Sequence, residues 1–234
     1  MHLEPHSNQG SLLRDVILGG QDGLVNVLGI VLGVAAATQD VSVVVIAGLA
    51  ATFAESVSMG AVAYTSTKAE EDYYKSELER EKREIKEKRS VEVREIKEIY
   101  AAKGFKGKLL NDIVKHITSD EKIWLDTMMR EELGLSLDHK NAFKSAVVVF
   151  TAAFIGSLIP LLPFFASYLV PITVPQAMVL AVLISALTLF VAGFFKAKIT
   201  IGVKWKSGLE MMAIGMVSAL VGYAVGVILG VSGI

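Results

Sequence analysis

The 234-residue chain is 53% hydrophobic, carries a formal net charge of −1 and contains no cysteine. The near-zero charge points to neither a nucleic acid nor an acidic substrate as partner, and the missing cysteine excludes disulfides, thiolate metal sites and iron–sulfur clusters. Mean hydropathy is +0.52, yet 35 of the 47 Asp, Glu, Lys and Arg residues fall between Lys68 and Lys140, so apolar and charged residues are segregated rather than dispersed.

Crossing about 30 Å of hydrocarbon takes roughly 20 mostly apolar residues in a helix. Five segments meet that length: Val16–Thr38, Val41–Tyr64, Ala142–Tyr168, Ile172–Phe195 and Leu209–Val231. The last two contain neither Lys nor Arg, while the first two each hold one acid. The first ten residues are polar and the first apolar stretch contains Asp22, so no cleavable signal peptide is expected. Basic residues flank the spans on alternate sides. Arg14 precedes span 1, Lys68 follows span 2, Lys140 and Lys144 lead into span 3, and Lys196, Lys198, Lys204 and Lys206 lie between spans 4 and 5. The opposite connections, Gln39-Asp40 and Ser167–Pro175, and the tail after Val231 have none. The positive-inside rule then predicts a cytoplasmic N-terminus and insert, with the C-terminus outside.

Between spans 2 and 3 the sequence predicts helices. Lys68 to Lys88 lacks Gly and Pro and is rich in Glu, Lys and Arg, which favour helix. Ser90 is placed to cap a second helix reaching Ala102, Gly104 and Gly107 break it, and a third covers Lys108–Ile117. Thr118 with Glu121 has the capping-box pattern and predicts a fourth, ending near Gly134, with an apolar stripe of Trp124, Leu125, Met128, Met129 and Leu133. The fold class expected is therefore all-α: a multi-pass membrane protein of five transmembrane helices with a cytoplasmic helical insert. The predicted boundaries are 1–15 for the N-terminal segment, 16–66 for helices 1 and 2, 67–141 for the insert and 142–234 for helices 3 to 5.

Small residues recur at helix-packing spacing, at Gly29 and Gly33 in span 1 and at Gly222, Gly226 and Gly230 in span 5. Such faces let backbones approach closely in lipid, either inside one subunit or between two; five spans are also few to enclose a pathway, which makes a homodimer plausible on size.

The acids in the spans are the first candidates for function, because a carboxylate near the centre of a span costs about 2.5–3.5 kcal/mol. Asp22 has Asn26 one turn further along the same face, and Glu55, in the middle of span 2, has Met59 one turn on. Together these oxygens and a thioether can line a path for a divalent cation; alternatively Asp22 sits in water at the interface and Glu55 is protonated. Glu210 opens span 5, where the helix dipole favours an acid in any case. In the insert, glutamates recur at 77, 81, 84 and 87, then at 92, 95 and 98. Residues three apart share a face, so Glu84 with Glu87 and Glu95 with Glu98 can each present two carboxylates to one metal, and Glu132, with Met128 one turn before it, can complete such a site. The insert also holds 17 Lys and Arg against 18 acids, and on spacing alone these glutamates read as halves of surface ion pairs. His116 reads as incidental. No phosphate-binding glycine loop, HExxH or Ser/His/Asp arrangement is present, so no enzyme activity is expected.

The segments LRDVILGGQDGLVNVLGIVLGV, AESVSMGAVAY, WLDTMMREELGL and GLEMMAIGMVSALVGYAVG, with the Glu-rich helices between them, resemble the vacuolar iron transporter family in order and over nearly the whole chain. The resemblance implies a dimer of five-helix subunits that exchanges cytosolic Fe2+, and often Mn2+, for protons. It also implies a path at the dimer interface and a cytoplasmic metal-binding domain between spans 2 and 3, with no resident cofactor beyond the transported metal. Carried over by motif, Asp22 matches the family's span 1 aspartate and Met59 its span 2 methionine. Glu84, Glu87, Glu95, Glu98, Met128 and Glu132 fall at positions resembling its cytoplasmic ligands, which turns the reading of those glutamates toward metal binding. One departure stands out: the family's span 2 acid aligns with Ala51, and this chain carries Glu55 one turn closer to Met59 on roughly the same face. The expected membrane is the cell membrane in a prokaryote and the vacuolar membrane in a eukaryote. Two competing readings are a membrane-anchored metal-storage or sensing module and a structural anchor whose charged helices bind a partner protein.

Overall fold

A computed structural model describes residues 7–135 and 141–231, and these are helical almost throughout. In chain order they are α1 (Ser7–Thr38), α2 (Val41–Glu87), α3 (Arg89–Ala102), α4 (Gly107–Thr118), α5 (Glu121–Thr127) running into a π-turn (Met128–Glu132), α6 (Ala142–Leu158), α7 (Leu162–Ala166), α8 (Val174–Ile199) and α9 (Lys204–Val231). They form two compact units. One is bounded by Met1–Thr65 and Lys140–Ile234, the other by Ser66–His139.

Among the described residues, five helices are long and apolar enough to cross a membrane: α1, α2, α6 continued by α7, α8 and α9. α1, α2 and α9 contain their predicted spans, α6 with α7 stops at Ala166, two residues short of the predicted Tyr168, and α8 starts at Val174, two residues after the predicted Ile172; elsewhere the helices overrun the apolar segments. Lys196 and Lys198 lie in the last turn of α8, and α9 begins at Lys204 rather than Leu209. Lysine is a good helix former, so the hydrogen-bond ladder does not stop where hydrophobicity does. For the same reason span 2 and the first predicted insert helix are one helix of 47 residues; no Gly or Pro follows Gly60 to interrupt it.

Breaks occur where the chain has a reason to turn. Gln39 takes a left-handed conformation, φ 53°, and Asp40 Oδ1 then accepts the backbone N–H groups of Ser42 at 2.7 Å and Val43 at 3.3 Å, capping α2. Pro160 and Pro163 remove two donors from the third span, and a 3-10 turn at Ile159–Leu161 separates α6 from α7.

The membrane unit is organised around α1, which packs on α6, α8 and α9. Val27, Leu28, Val31 and Leu32 are buried against Val44, Val45, Leu161, Phe164, Ala177, Ala181 and Ala219. The glycine faces of α1 and α9 meet inside this one chain: a Cβ on Gly222 would lie 2.5 Å from the Gly29 carbonyl oxygen, and one on Gly33 would lie 2.8 Å from that of Gly222. Of the two uses open for these glycines, packing within the subunit is the one observed. The surroundings of Gly230 lie outside the described residues.

The second unit has its own small core of Ile85, Ile96, Leu110, Val114, Ile117, Trp124 and Met128. Gly104 (φ 96°) and Gly107 (φ 61°) make the turn between α3 and α4, as the sequence predicts. Two caps differ from expectation. Ser90 lies inside α3, whose N-cap position is Lys88 without a side-chain cap. Thr118 ends α4 and bonds back to the Val114 carbonyl; Asp120 caps α5, accepting from Lys122 and Ile123 N–H. Asp120 has the extended backbone an N-cap needs, which Thr118, still helical, lacks. At the far end, Leu133 N–H bonds the Met128 carbonyl five residues back, at 3.2 Å, and this wider turn lets the consecutive Met128 and Met129 both be buried.

Overpacking a tight core costs about 1–3 kcal/mol. Gly222→Val is therefore expected to lower the detergent-solubilised protein's Tm by several degrees, whereas Gly10→Ala, which meets nothing within 4 Å, should leave it within a degree or so. Thermal unfolding by scanning fluorimetry checks the pair.

Candidate metal sites

The insert's core dictates which glutamates meet. On α2, Ile85 is 3% exposed and Glu81, one turn before it, shares its inward face; on α3, Glu92 stands one turn before the fully buried Ile96. The π-turn brings Glu132 one turn after the fully buried Met128. A carboxylate oxygen from each of Glu81, Glu92 and Glu132 lies within 4.8 Å of the other two. Glu81 is 2% and Glu92 4% exposed, and each has a buried Oε2 with no hydrogen-bond partner. Such atoms are costly unless something neutralises them.

The electrostatics agree. Burial pushes the Glu92 carboxyl up to about 7, with the negative charges of Glu95, Glu81, Glu132 and Glu84 adding to it. Glu132 is likewise pushed up to about 7, by burial and then by Glu81, Glu95 and Glu84, against the opposing pull of Arg80. Glu81 is raised by burial and by Glu84, again opposed by Arg80. The Arg80 guanidinium reaches Glu77 at 2.9 Å and Glu81 and Glu84 at 3.6 Å. Three crowded carboxylate oxygens, two of them from buried side chains and one from the exposed Glu132, match the donor set of a divalent cation.

Of the residues singled out by sequence, Glu132 is in this group, with Met128 buried beside it in the chain. Glu84 and Glu95 act on it through their charge, though Glu84 is also paired with Lys88 at 3.0 Å. Glu87 and Glu98 are exposed and outside it, Glu98 lying 3.7 Å from Arg94. The sequence reading missed Glu81 and Glu92. Each lies three residues before one expected ligand and six before the other, about 60° and 120° around the helix; their place one turn before Ile85 and Ile96 was the signal. His116 is exposed and not part of the group.

In the membrane unit, the four expected residues fall on two facing helices. Asn26 of α1 donates its Nδ2–H to Glu55 Oε1 of α2 at 2.6 Å, and the Asp22 carboxylate stands near enough to bear on the same carboxyl by charge. Asn26, Ala51 and Glu55 line an open groove of about 500 Å³ that α9 borders with Ser218 and Gly222. A second groove, about 580 Å³, holds Arg14, Gln21 and Asp22 and shares Val25, Asn26 and Ser218 with the first, so the two run on along α1. Ala51 and Glu55 lie in one wall, and the shift of the acid by a turn keeps it in the groove. Met59 is half-buried one turn beyond and lines neither groove. The nearby hydroxyls of Thr52 and Ser56 are buried and spent on the carbonyls of Gly48 and Thr52.

Glu92→Gln should weaken binding of a divalent probe such as Mn2+ at least tenfold, while Glu98→Gln leaves it unchanged; calorimetry on the full chain in detergent distinguishes them. Binding must displace protons, so affinity is expected to fall below pH 7, by up to about tenfold per displaced proton for each pH unit. The sign for stability is opposite. Acids raised from 4.5 to about 7 in the fold stabilise it below pH 4.5, and that contribution is lost as pH rises through 7. Metal-free protein should therefore be less stable at pH 8 than at pH 5 in this unit, with added metal restoring it, as hydrogen exchange at the α2–α3 amides can read.

Comparison with known proteins follows the same residues. The VIT family profile matches residues 13–227. Vacuolar iron transporter 1 of Tulipa gesneriana is 34% identical over 224 residues, covering 95% of this chain and 89% of the relative. Vacuolar iron transporter 1 of Arabidopsis thaliana is 35% identical over 219 residues, covering 93% and 86%. The vacuolar iron transporter of Toxoplasma gondii is 34% identical over 235 residues, covering 97% and 78%. With its apolar helices and a match of this extent, the chain is an integral membrane protein belonging to the VIT family.

Proposed function

We propose that this protein moves Fe2+, and Mn2+, out of the cytoplasm across a membrane in exchange for protons. The observation that carries the reading is the groove in the membrane unit, where Asp22, Asn26 and Glu55 converge on one another between apolar helices. Mere anchoring needs no such group, and its cost in hydrocarbon is offset only when a cation or proton neutralises the acids. Relatives bearing the name vacuolar iron transporter support the choice of metal.

In this reading the insert, residues 67–141, is cytoplasmic, as the basic residues beside the spans favour. Glu81, Glu92 and Glu132, assisted by Glu84, Glu95 and Met128, take metal from the cytoplasm. The ion then passes by Asp22, Glu55 and Met59, with Glu55 alternating between proton and metal as the carrier of exchange. The groove is open along the side of one subunit, which supports a homodimer in which a second copy closes it. The membrane is the vacuolar one in a eukaryote and the cell membrane in a prokaryote.

A storage or sensing role draws support from the buried acid group alone, and flux separates the two. Reconstituted in liposomes with a pH gradient, the protein should take up Fe2+ or Mn2+ only while the gradient lasts. Glu55→Gln should abolish that uptake and leave metal binding by the insert intact. Full exchange by the Glu55→Gln variant would rule out its role as proton carrier, and binding without any gradient-driven uptake by the native protein would favour storage.

A further inference from the structure

We infer that the hairpin end formed by α8 and α9 is a binding site for the headgroup phosphate of an anionic phospholipid. Lys196, Lys198, Lys204 and Lys206 lie within eleven residues, and the chain has no acid from residue 139 to 209. Among the described residues none of the four forms an ion pair with a carboxylate, whereas the insert's bases are matched by an equal weight of acids. The chain's unbalanced positive charge is thus gathered here.

Two of these lysines oppose their own helix. Lys196 and Lys198 sit at the C-terminal end of α8, which favours cations, but Lys204 and Lys206 open α9, whose first turn contains no acid. The helix dipole disfavours positive charge there, and an external anion removes the conflict. The lysines are also held in place. A Cβ on Gly193 would lie 2.5 Å from the Ser207 carbonyl oxygen, so the two helix ends are in backbone contact. Trp205 packs on Phe190 and Phe194, with ring centroids 5.2 and 6.2 Å away. Lys198 Nζ stands 5.7 Å from the Phe195 ring and Lys204 Nζ 6.0 Å from that of Phe194.

The company these lysines keep selects a lipid over a free anion. Ile199, Ile201, Val203 and Trp205 alternate with them and are exposed, Ile201 completely. At the end of two membrane-spanning helices that row meets the glycerol and upper acyl region, where Trp is favoured, and clustered lysines beside a span attract anionic headgroups.

The test titrates the purified full chain in neutral detergent with phosphatidylglycerol, phosphatidylcholine or inorganic phosphate, reading bound lipid by native mass spectrometry and Tm in parallel. Saturable retention of phosphatidylglycerol, at least tenfold tighter than phosphatidylcholine, is expected. The variant K196Q/K198Q/K204Q/K206Q should lose that preference, the same four changed to Arg should keep it, and Gln at Lys86, Lys97, Lys108 and Lys115 should not affect it. Trp205→Ala, which retains every charge, should weaken retention severalfold and serves where the quadruple Gln variant does not fold. Equal retention of both lipids, a preference that survives loss of the four lysines, or equal saturation by inorganic phosphate overturns the inference.

Discussion

Helix α1 must touch two neighbours at backbone distance, and much of the membrane unit follows from that requirement. Lipid offers apolar side chains no advantage for leaving it, so helices there are held by close van der Waals contact. Glycine supplies the closeness on one side of α1 at Gly29 and Gly33, facing α9, and on another at Gly23, where a Cβ would lie 2.6 Å from Ser157 Oγ. With α1 clamped, the face carrying Asp22 and Asn26 is fixed. It is turned toward α2, where Asn26 donates to Glu55 at 2.6 Å. The groove is what remains where small residues, Gly29 and Gly222 among them, line the space beside those polar groups.

The second unit solves a different problem with the opposite material. Here the apolar core is small, and two of its inward positions are spent on carboxylates. Glu81 and Glu92 occupy places where leucine would add to stability, and their raised proton affinity is a measure of that conflict. A fold that buries unpaired acids beside its own hydrophobic core is stabilised by whatever cation enters. Binding of such a cation would thereby be linked to the folding of this unit. The Arg80 guanidinium, touching three of the surrounding carboxylates, limits the repulsion when no metal is present.

Much of this was legible in the sequence. Five spans, the helical insert and its glycine breaks are written in hydropathy and in Gly and Pro placement, and they appear where expected. Helix ends were less legible, because lysine continues a helix past the apolar segment at Ile199 and Lys204 as readily as within it. In the membrane unit, Asp22, Asn26 and Glu55 stand out in sequence as polar residues in apolar runs, and the structure brings Asn26 and Glu55 together. In the insert almost every position is charged, so spacing alone could not distinguish Glu81 from Glu84 or Glu92 from Glu95. Only the direction of the core, set by Ile85 and Ile96, separates the buried acid from its solvated neighbour. The cap at Asp120 was missed for a related reason: Thr118 has the right side chain, but its backbone remains helical.

The π-turn at Met128–Glu132 carries one residue more than an α-helical turn would hold. Its consequence is a matter of helix winding rather than of chemistry. The same five residues wound as an α-helix would carry Glu132 up to about 100° further around the axis, away from Glu81 and Glu92, with no change in sequence. In this unit the winding between Trp124 and Glu132 is what brings the third carboxylate beside those of Glu81 and Glu92.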